Sequence, residues 1–245
     1  GNIYATDIGR IELGQGIAAP DNKTPLTSTS IVAQDDIFEI VSRDQGNVIV
    51  RSMITAGNIN ALDPFVDGTD GITQINLNNA DIQDSYIGAT NLDRYWVSFL
   101  YGEDNISTGD IQTIDLRGGR FFRNQINGRD LDTLRMNNVI FDASQIAMTG
   151  DVQNLQLAGA RNSTLSGERD ELRENTITIA RDLERFNSSG NVDDLTLDVV
   201  GRVRQNITAP NISRSVIKVS NELRGIYVTG VIRGGIEIDV ASVNA

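Results

Sequence analysis

The feature that most constrains this chain is a beat of about twenty residues. A polar residue followed by the frame apolar, x, x, apolar, x, apolar recurs: Gly71-Ile72 leads to Ile75 and Leu77, Asn91-Leu92 to Tyr95 and Val97, Asp110-Ile111 to Ile114 and Leu116. The phrase continues at Asp130-Leu131, Asp151-Val152 and Asn191-Val192, and with a short insertion at Glu171-Leu172, Asn211-Ile212 and Gly230-Val231. Counted from the first apolar position (72, 92, 111, 131, 152, 172, 192, 212 and 231), the steps are 20, 19, 20, 21, 20, 20, 20 and 19. Within each copy apolar residues stand two apart, the period of a strand with one buried face rather than of a helix. A repeat of this size that cannot bury its own apolar face calls for a solenoid, each unit packing on its neighbours.

A second apolar group follows in each unit, as at Phe121-Phe122, Val139 to Phe141 and Ile226 with Val228, and reads as another wall. Turn formers such as Gly118-Gly119, Asn137-Asn138 and Gly234-Gly235 stand between the walls, where positive φ or side-chain-capped bends are needed. The expected fold is all-β, a right-handed parallel β-helix of about 20 residues per coil, with a less regular N-terminal segment. Residues 1–60 are expected as a cap or degenerate coils with a role in subunit contact, and 61–245 as the β-helix. Ser166 to Asn187 is rich in charge and has two readings, a lateral helix or a strand with charged flanks; the alternation Thr176-Ile177-Thr178-Ile179 favours the strand. The last repeat, Ile236 to Val240, runs almost to Ala245, which leads us to expect an open sheet edge that invites another chain.

Composition removes whole classes of chemistry. With no cysteine and no histidine, the chain has no disulfides, thiol nucleophiles or imidazole acid-base groups. A net charge of -12 repels phosphate backbones, so no nucleic-acid partner is expected. No run of eighteen apolar residues occurs, so no membrane-spanning helix is expected, and Gly1 to Arg10 lack the look of an export signal, as in a processed or a trimmed chain. Positive charge is almost all arginine, suited to fixed ion pairs with carboxylates.

Four groups of residues invite a functional reading. Asn91, Asp110, Asp130, Asp151, Glu171, Asn191 and Asn211, each just before a first apolar position, would stack as a turn ladder. Within it Asp110, Asp130 and Asp151, spaced by about 4.8 Å per coil, are also candidates for holding Ca²⁺ or for paired-carboxylate chemistry. Asp63, Asp67 and Asp70, in a Gly-bearing loop without EF-hand spacing, form a second Ca²⁺ candidate. Arg117, Arg120, Arg123, Arg129 and Arg135 make a basic stretch for an acidic polysaccharide or a neighbouring subunit, against pairing with nearby acids. Sequons at Asn22, Asn105, Asn162, Asn187, Asn206 and Asn211 would carry glycans if the chain is extracellular.

On its repeat, over residues 70 to 245, the chain resembles the right-handed parallel β-helix proteins: pectate-lyase-like enzymes, phage tail spikes, autotransporter passengers and other surface adhesins. The resemblance matches no single family motif, so it transfers no functional residue. It implies an extracellular or cell-surface setting. The functional expectation is a non-catalytic structural protein, a filament, surface-layer or adhesin subunit forming a homo-oligomer or polymer. The alternative is a carbohydrate-active β-helix acting on acidic polysaccharide.

Overall fold

The computed structural model describes residues 2–13, 30–33, 36–42, 48–50, 52–56, 71–83, 85–89, 109–161 and 175–243. Its described elements are strands throughout, paired in parallel, and no helix among them is long and apolar enough to cross a membrane. The chain is an all-β parallel solenoid.

Three walls alternate along the chain. The first holds β1 (Asn2–Ala5), β3 (Ser30–Ala33), β6 (Met53–Ala56), β8 (Tyr86–Ala89) and β10 (Gln125–Gly128). It goes on through β13 (Gln145–Met148), β16 (Asn175–Ile179), β19 (Leu195–Val199), β22 (Val216–Leu223) and β25 (Glu237–Val243). The second holds β2 (Ile8–Leu13), β4 (Ile37–Ser42), β11 (Leu131–Asn137), β14 (Val152–Leu157), β17 (Leu183–Ser188), β20 (Ile207–Ala209) and β23 (Ile226–Val228). The third holds β5 (Val48–Val50), β12 (Phe141–Asp142), β15 (Ala160–Arg161), β18 (Val192–Asp193), β21 (Ile212–Ser213) and β24 (Ile232–Arg233). Two long strands, β7 (Gly71–Gln83) and β9 (Asp110–Phe122), run from the second wall into the third and join them as one sheet.

Register stacks like on like. The first wall carries Ile3, Ile31, Ile54, Ile87, Ile126, Ile146, Ile177, Leu197, Ile217 and Ile238 in one unbroken column. The second carries Ile8, Ile37, Ile72, Ile111, Leu131, Val152, Leu183, Val203 and Leu223. The third carries Ile49, Ile82, Phe121, Phe141, Ala160, Val192, Ile212 and Ile232. One hydrophobic cluster draws on all three. β-branched side chains suit these positions because their restricted rotamers match the pleated sheet, and each fully buried one contributes about 1.5–3 kcal/mol.

The twenty-residue beat is not a single stack. Its copies at Ile72, Ile111, Leu131 and Val152 lie on the second wall, but those at Val192 and Ile212 lie on the third, and Ile212 pairs with Ile232 rather than Val231. Leu92 and Leu172 fall outside the described residues, and the second wall passes them by: Ile72 pairs directly with Ile111, and Val152 with Leu183. The cause is coil length. Equivalent corner residues are 20 apart between Asp110 and Asp130 but 31 apart between Asp151 and Asp182, so a count of twenty drifts from one wall to the next. The drift goes unnoticed in sequence because every wall has the same alternating pattern.

Two other expectations can be placed. Thr176 to Ile179 lies in β16 and Leu183 to Ser188 forms β17, so the strand reading holds for the described part of 166–187. Within residues 1–60, β1 to β6 belong to the same ladders, β3 pairing with β6 and β6 with β8.

Candidate functional site: the polar corners and the acidic groove

Each corner between walls is held by side chains reaching along the stack. At the corner entering the second wall, Asp36 Oδ1 accepts the Gly71 N–H at 3.0 Å, and Asp110 Oδ1 that of Asp130 at 3.3 Å. The ladder continues as Asp130 Oδ1 accepts from Asp151 (2.6 Å), Asp151 from Asp182 (2.9 Å) and Asp182 from Arg202 (2.8 Å). Gly71 interrupts the aspartates because a Cβ there would lie 1.9 Å from the Asp110 carbonyl oxygen. At the corner entering the third wall, Asn211 Nδ2 donates to Asn191 Oδ1 at 2.7 Å, and the Val231 N–H donates to Asn211 Oδ1 at 2.7 Å.

The corner entering the first wall is buried, and its ladder runs the opposite way. The N–H groups of Ser52, Ser85, Asn124 and Ser144 donate to Ser85 Oγ (3.1 Å), Asn124 Oδ1 (2.9 Å), Ser144 Oγ (3.0 Å) and Asn175 Oδ1 (3.0 Å) of the following coil. Leu195 interrupts the side-chain series, though its N–H still donates to Ser215 Oγ at 3.3 Å.

Outside the aspartate corner lies a groove of about 270 Å³, lined by Thr73, Gln112 and Gln153 together with Asp110, Asp130, Asp132 and Asp151. Arg129 pairs with two of these carboxylates, its Nη2 at 2.6 Å from Asp110 Oδ2 and its Nε at 3.4 Å from Asp130 Oδ2. Partial burial, then the charges of Asp110 and Asp130, push the Asp132 carboxyl above the usual carboxylate range. Further along the ridge the sign reverses. Burial opposes ionisation of Asp182, but the Arg202 N–H and the Arg204 guanidinium, 2.6 Å away, outweigh it and hold that carboxyl low. The bond from Arg214 does the same for Asp193 against the cost of its burial.

Linkage follows from these directions. Pairing of Asp182 and Asp193 stabilises the fold above about pH 4 and is lost as pH falls through their lowered folded values. Asp132 has the opposite sign: its ionisation costs stability once pH rises through its elevated value. Asp132→Asn is therefore expected to raise the melting temperature at neutral pH, by less than about 1 kcal/mol equivalent for a screened group. Thermal melts should show the gain vanishing below about pH 4, and a gain unchanged in acid would refute it.

No family model, curated protein or solved structure matches this chain. The site has to be read from its own residues. Asp110, Asp130 and Asp151 do form one column, each with an oxygen on the backbone N–H of the next coil, which is the turn-ladder arrangement. Among the described residues no group of three or more Asp or Glu is disposed to hold a metal ion, and Asp63, Asp67 and Asp70 lie outside the described residues.

The arginine stretch does not form one patch. Arg117 bonds Asp115 at 2.8 Å, and Arg135 lies 3.7 Å from the same carboxylate on the second wall. Arg129 pairs with Asp110 at the aspartate corner, and Arg123 lies 4.7 Å above the Phe122 ring beyond the third wall. Arg120 lies in β9, its backbone opposite Asp81. Pairing with nearby acids thus accounts for Arg117, Arg129 and Arg135.

Of the sequons, Asn22, Asn105 and Asn162 lie outside the described residues, while Asn187 and Asn206 are exposed on the second wall side. Asn211 is committed on both amide atoms to the corner ladder, so a glycan there would break its bond to Asn191. Sequence reasoning missed Asp182, Asp193 and the whole inner ladder. A signal existed: Ser52, Ser85, Asn124, Ser144, Asn175 and Ser215 each stand two residues before the first-wall column.

Proposed function

We propose that the chain is a non-catalytic structural protein of the cell exterior, a filament, surface-layer or adhesin subunit, that self-associates through the edges of its end coils. The observation carrying this reading is the isoleucine column. From Ile31 to Ile217 it is at most 4 % exposed, whereas Ile3 at one edge of the described ladder is 43 % exposed and Ile238 at the other 52 %. Ile232, the last residue of the third-wall column, is exposed as well, so the apolar interior reaches solvent where a further coil would stack. Edge strands β1 and β25 each have one ladder partner among the described residues and a free row of backbone groups, the template by which sheets recruit further strands. The two opposite edges of identical chains meeting head to tail propagate unless rotation closes them. An exterior setting is supported by exposed Asn187 and Asn206, whose glycans mass spectrometry of natively produced protein would detect.

Negative-stain microscopy and sedimentation test the association. Filaments are expected, and Ile238→Lys should stop their end-to-end growth because it places a charge on the exposed end of the column. Uniformly monomeric wild-type particles across salt and Ca²⁺ conditions would overturn the proposal.

A second reading rests on the groove. Four aspartates with one elevated carboxyl, that of Asp132, supply the acid and the ionised partner that glycoside or uronide cleavage needs. Reducing-end and unsaturated-product assays on acidic polysaccharides decide it: activity abolished by Asp132→Asn supports it, and no product from any substrate removes it.

A further inference from the structure

The corner ridge entering the second wall changes sign along the solenoid. In the coils of Asp130 and Asp151, three aspartates (Asp130, Asp132 and Asp151) against Arg129 leave a charge of -2. In the next two coils, those of Asp182 and Arg202, four arginines (Arg181, Arg185, Arg202 and Arg204) against Asp182 and Glu184 leave +2. The four coils are consecutive, since Asp130, Asp151, Asp182 and Arg202 are linked rung to rung by the ladder. Asp132 and Gln153 are exposed on the acidic half, and all four arginines on the basic half.

We propose that this ridge is a docking surface for a second copy of the same chain, laid side by side and antiparallel. A two-fold axis across the ridge between the coils of Asp151 and Asp182 brings the Asp130 coil of each copy against the Arg202 coil of the other. The same rotation sets the Asp151 coil against the Asp182 coil, so both halves of both copies are matched by one operation, as an isologous interface requires. The separation of matched centres is built in: three strand spacings of about 4.8 Å, or about 14 Å, lie between the Asp130 and Arg202 coils. The acidic half is also concave, its groove of about 270 Å³ open to an incoming guanidinium. Such a guanidinium would offset the charges of Asp110 and Asp130, which add to partial burial in raising the Asp132 carboxyl.

A long polyanion is the rival occupant of the arginines. Lying along the ridge it would run from Arg202 and Arg181 straight onto Asp151, Asp132 and Asp130, so repulsion from the groove opposes it. A partner whose own charge reverses over the same distance avoids that repulsion, and the chain itself is one. The net charge of -12 works against any self-association at long range, so the matched patches are also what lets two copies approach.

The test is a charge swap, read by sedimentation on the full chain. One variant carries Arg181→Glu and Arg202→Glu, the other Asp132→Arg and Gln153→Arg; these side chains extend outward, and circular dichroism melts check that each variant folds. Wild-type dimers are expected to weaken by roughly a hundredfold in either variant, since the two-fold counts every substitution twice. Mixing the two variants should restore the dimer, because each then supplies the charge the other lacks. A monomeric wild type, a dimer unmoved by either variant, or no recovery on mixing overturns the proposal. So does a monomeric wild type retained on a carboxylated or sulfated polysaccharide and released by Arg181→Glu with Arg202→Glu, which would make the ridge a polyanion site. Association through end coils fails or survives separately, since Ile238→Lys should leave this dimer intact.

Discussion

Phe141→Ala is expected to cost about 3–5 kcal/mol of stability, the range for deleting a buried aromatic side chain and leaving a cavity. Phe141 is fully buried on the third wall, between Phe121, whose ring centroid lies 6.0 Å away in a stacked arrangement, and Ala160. The small methyl of Ala160 leaves the ring to fill the space of its own layer and part of the next. A solenoid coil touches only the coils above and below it, so few other side chains can collapse into the gap. The damage should be local as well as large. Hydrogen exchange is expected to speed up around Phe121 and Ala160 while the rungs at Ile217 change little, and denaturant melts give the total. A loss below about 1 kcal/mol would mean that the column is not packed as described.

The architecture was legible because its determinants are periodic. Ile111, Ile114 and Leu116 announce a strand with one buried face, and their recurrence at Leu131, Leu134 and Met136 announces that strands stack in parallel. Phase was not legible. Val152 and Val192 look equivalent in sequence but stand on different walls, because a frame of alternating aliphatics carries no mark of the wall it belongs to. What differs between walls is the polar residue at some corners: aspartate before most of the second-wall column, buried serine or asparagine before most of the first, and asparagine before the third only at Val192 and Ile212. Reading the aspartates and the buried serines and asparagines as two separate periods would have distinguished the second wall from the first.

The candidate site was legible in part for the same reason. Asp110, Asp130 and Asp151 are evenly spaced and could be stacked on paper, whereas Asp182 joins them only after a coil of 31 residues. The arginines show the converse failure. Arg117, Arg123 and Arg129 are close in sequence, yet a coil of about twenty residues carries neighbours six apart onto different walls, so a local charge count builds a patch the fold takes apart. Arg181 and Arg202, far apart in sequence, are the ones the fold brings to one ridge, where the Gly201 N–H donates to the Arg181 carbonyl at 3.0 Å.

Asn124→Ala should then rank as the most damaging change at any corner. Asn124 is 1 % exposed; its Oδ1 accepts the Ser85 N–H at 2.9 Å and its Nδ2 donates to the Ile82 carbonyl at 2.9 Å. Alanine takes a hydrogen-bond partner from two backbone groups in this buried corner, at about 1–3 kcal/mol each, so a total loss of roughly 2–6 kcal/mol is expected. Serine, which already serves at Ser85 and Ser144 in the same ladder, can still accept from the Ser85 N–H, and at Ser85 the hydroxyl reaches the equivalent Ile49 carbonyl only at 3.3 Å, so Asn124→Ser should fall between wild type and alanine. Asp151→Ala provides the contrast. It too removes the acceptor of a next-coil N–H, that of Asp182, but the corner is only partly buried, so water can take the acceptor's place and the cost should stay near about 1 kcal/mol. Equilibrium denaturation of the three variants decides the matter. If Asn124→Ala proves no worse than Asp151→Ala, the inner ladder is not what fixes the buried corner, and the spacing of coils would have to be set by the aliphatic columns alone.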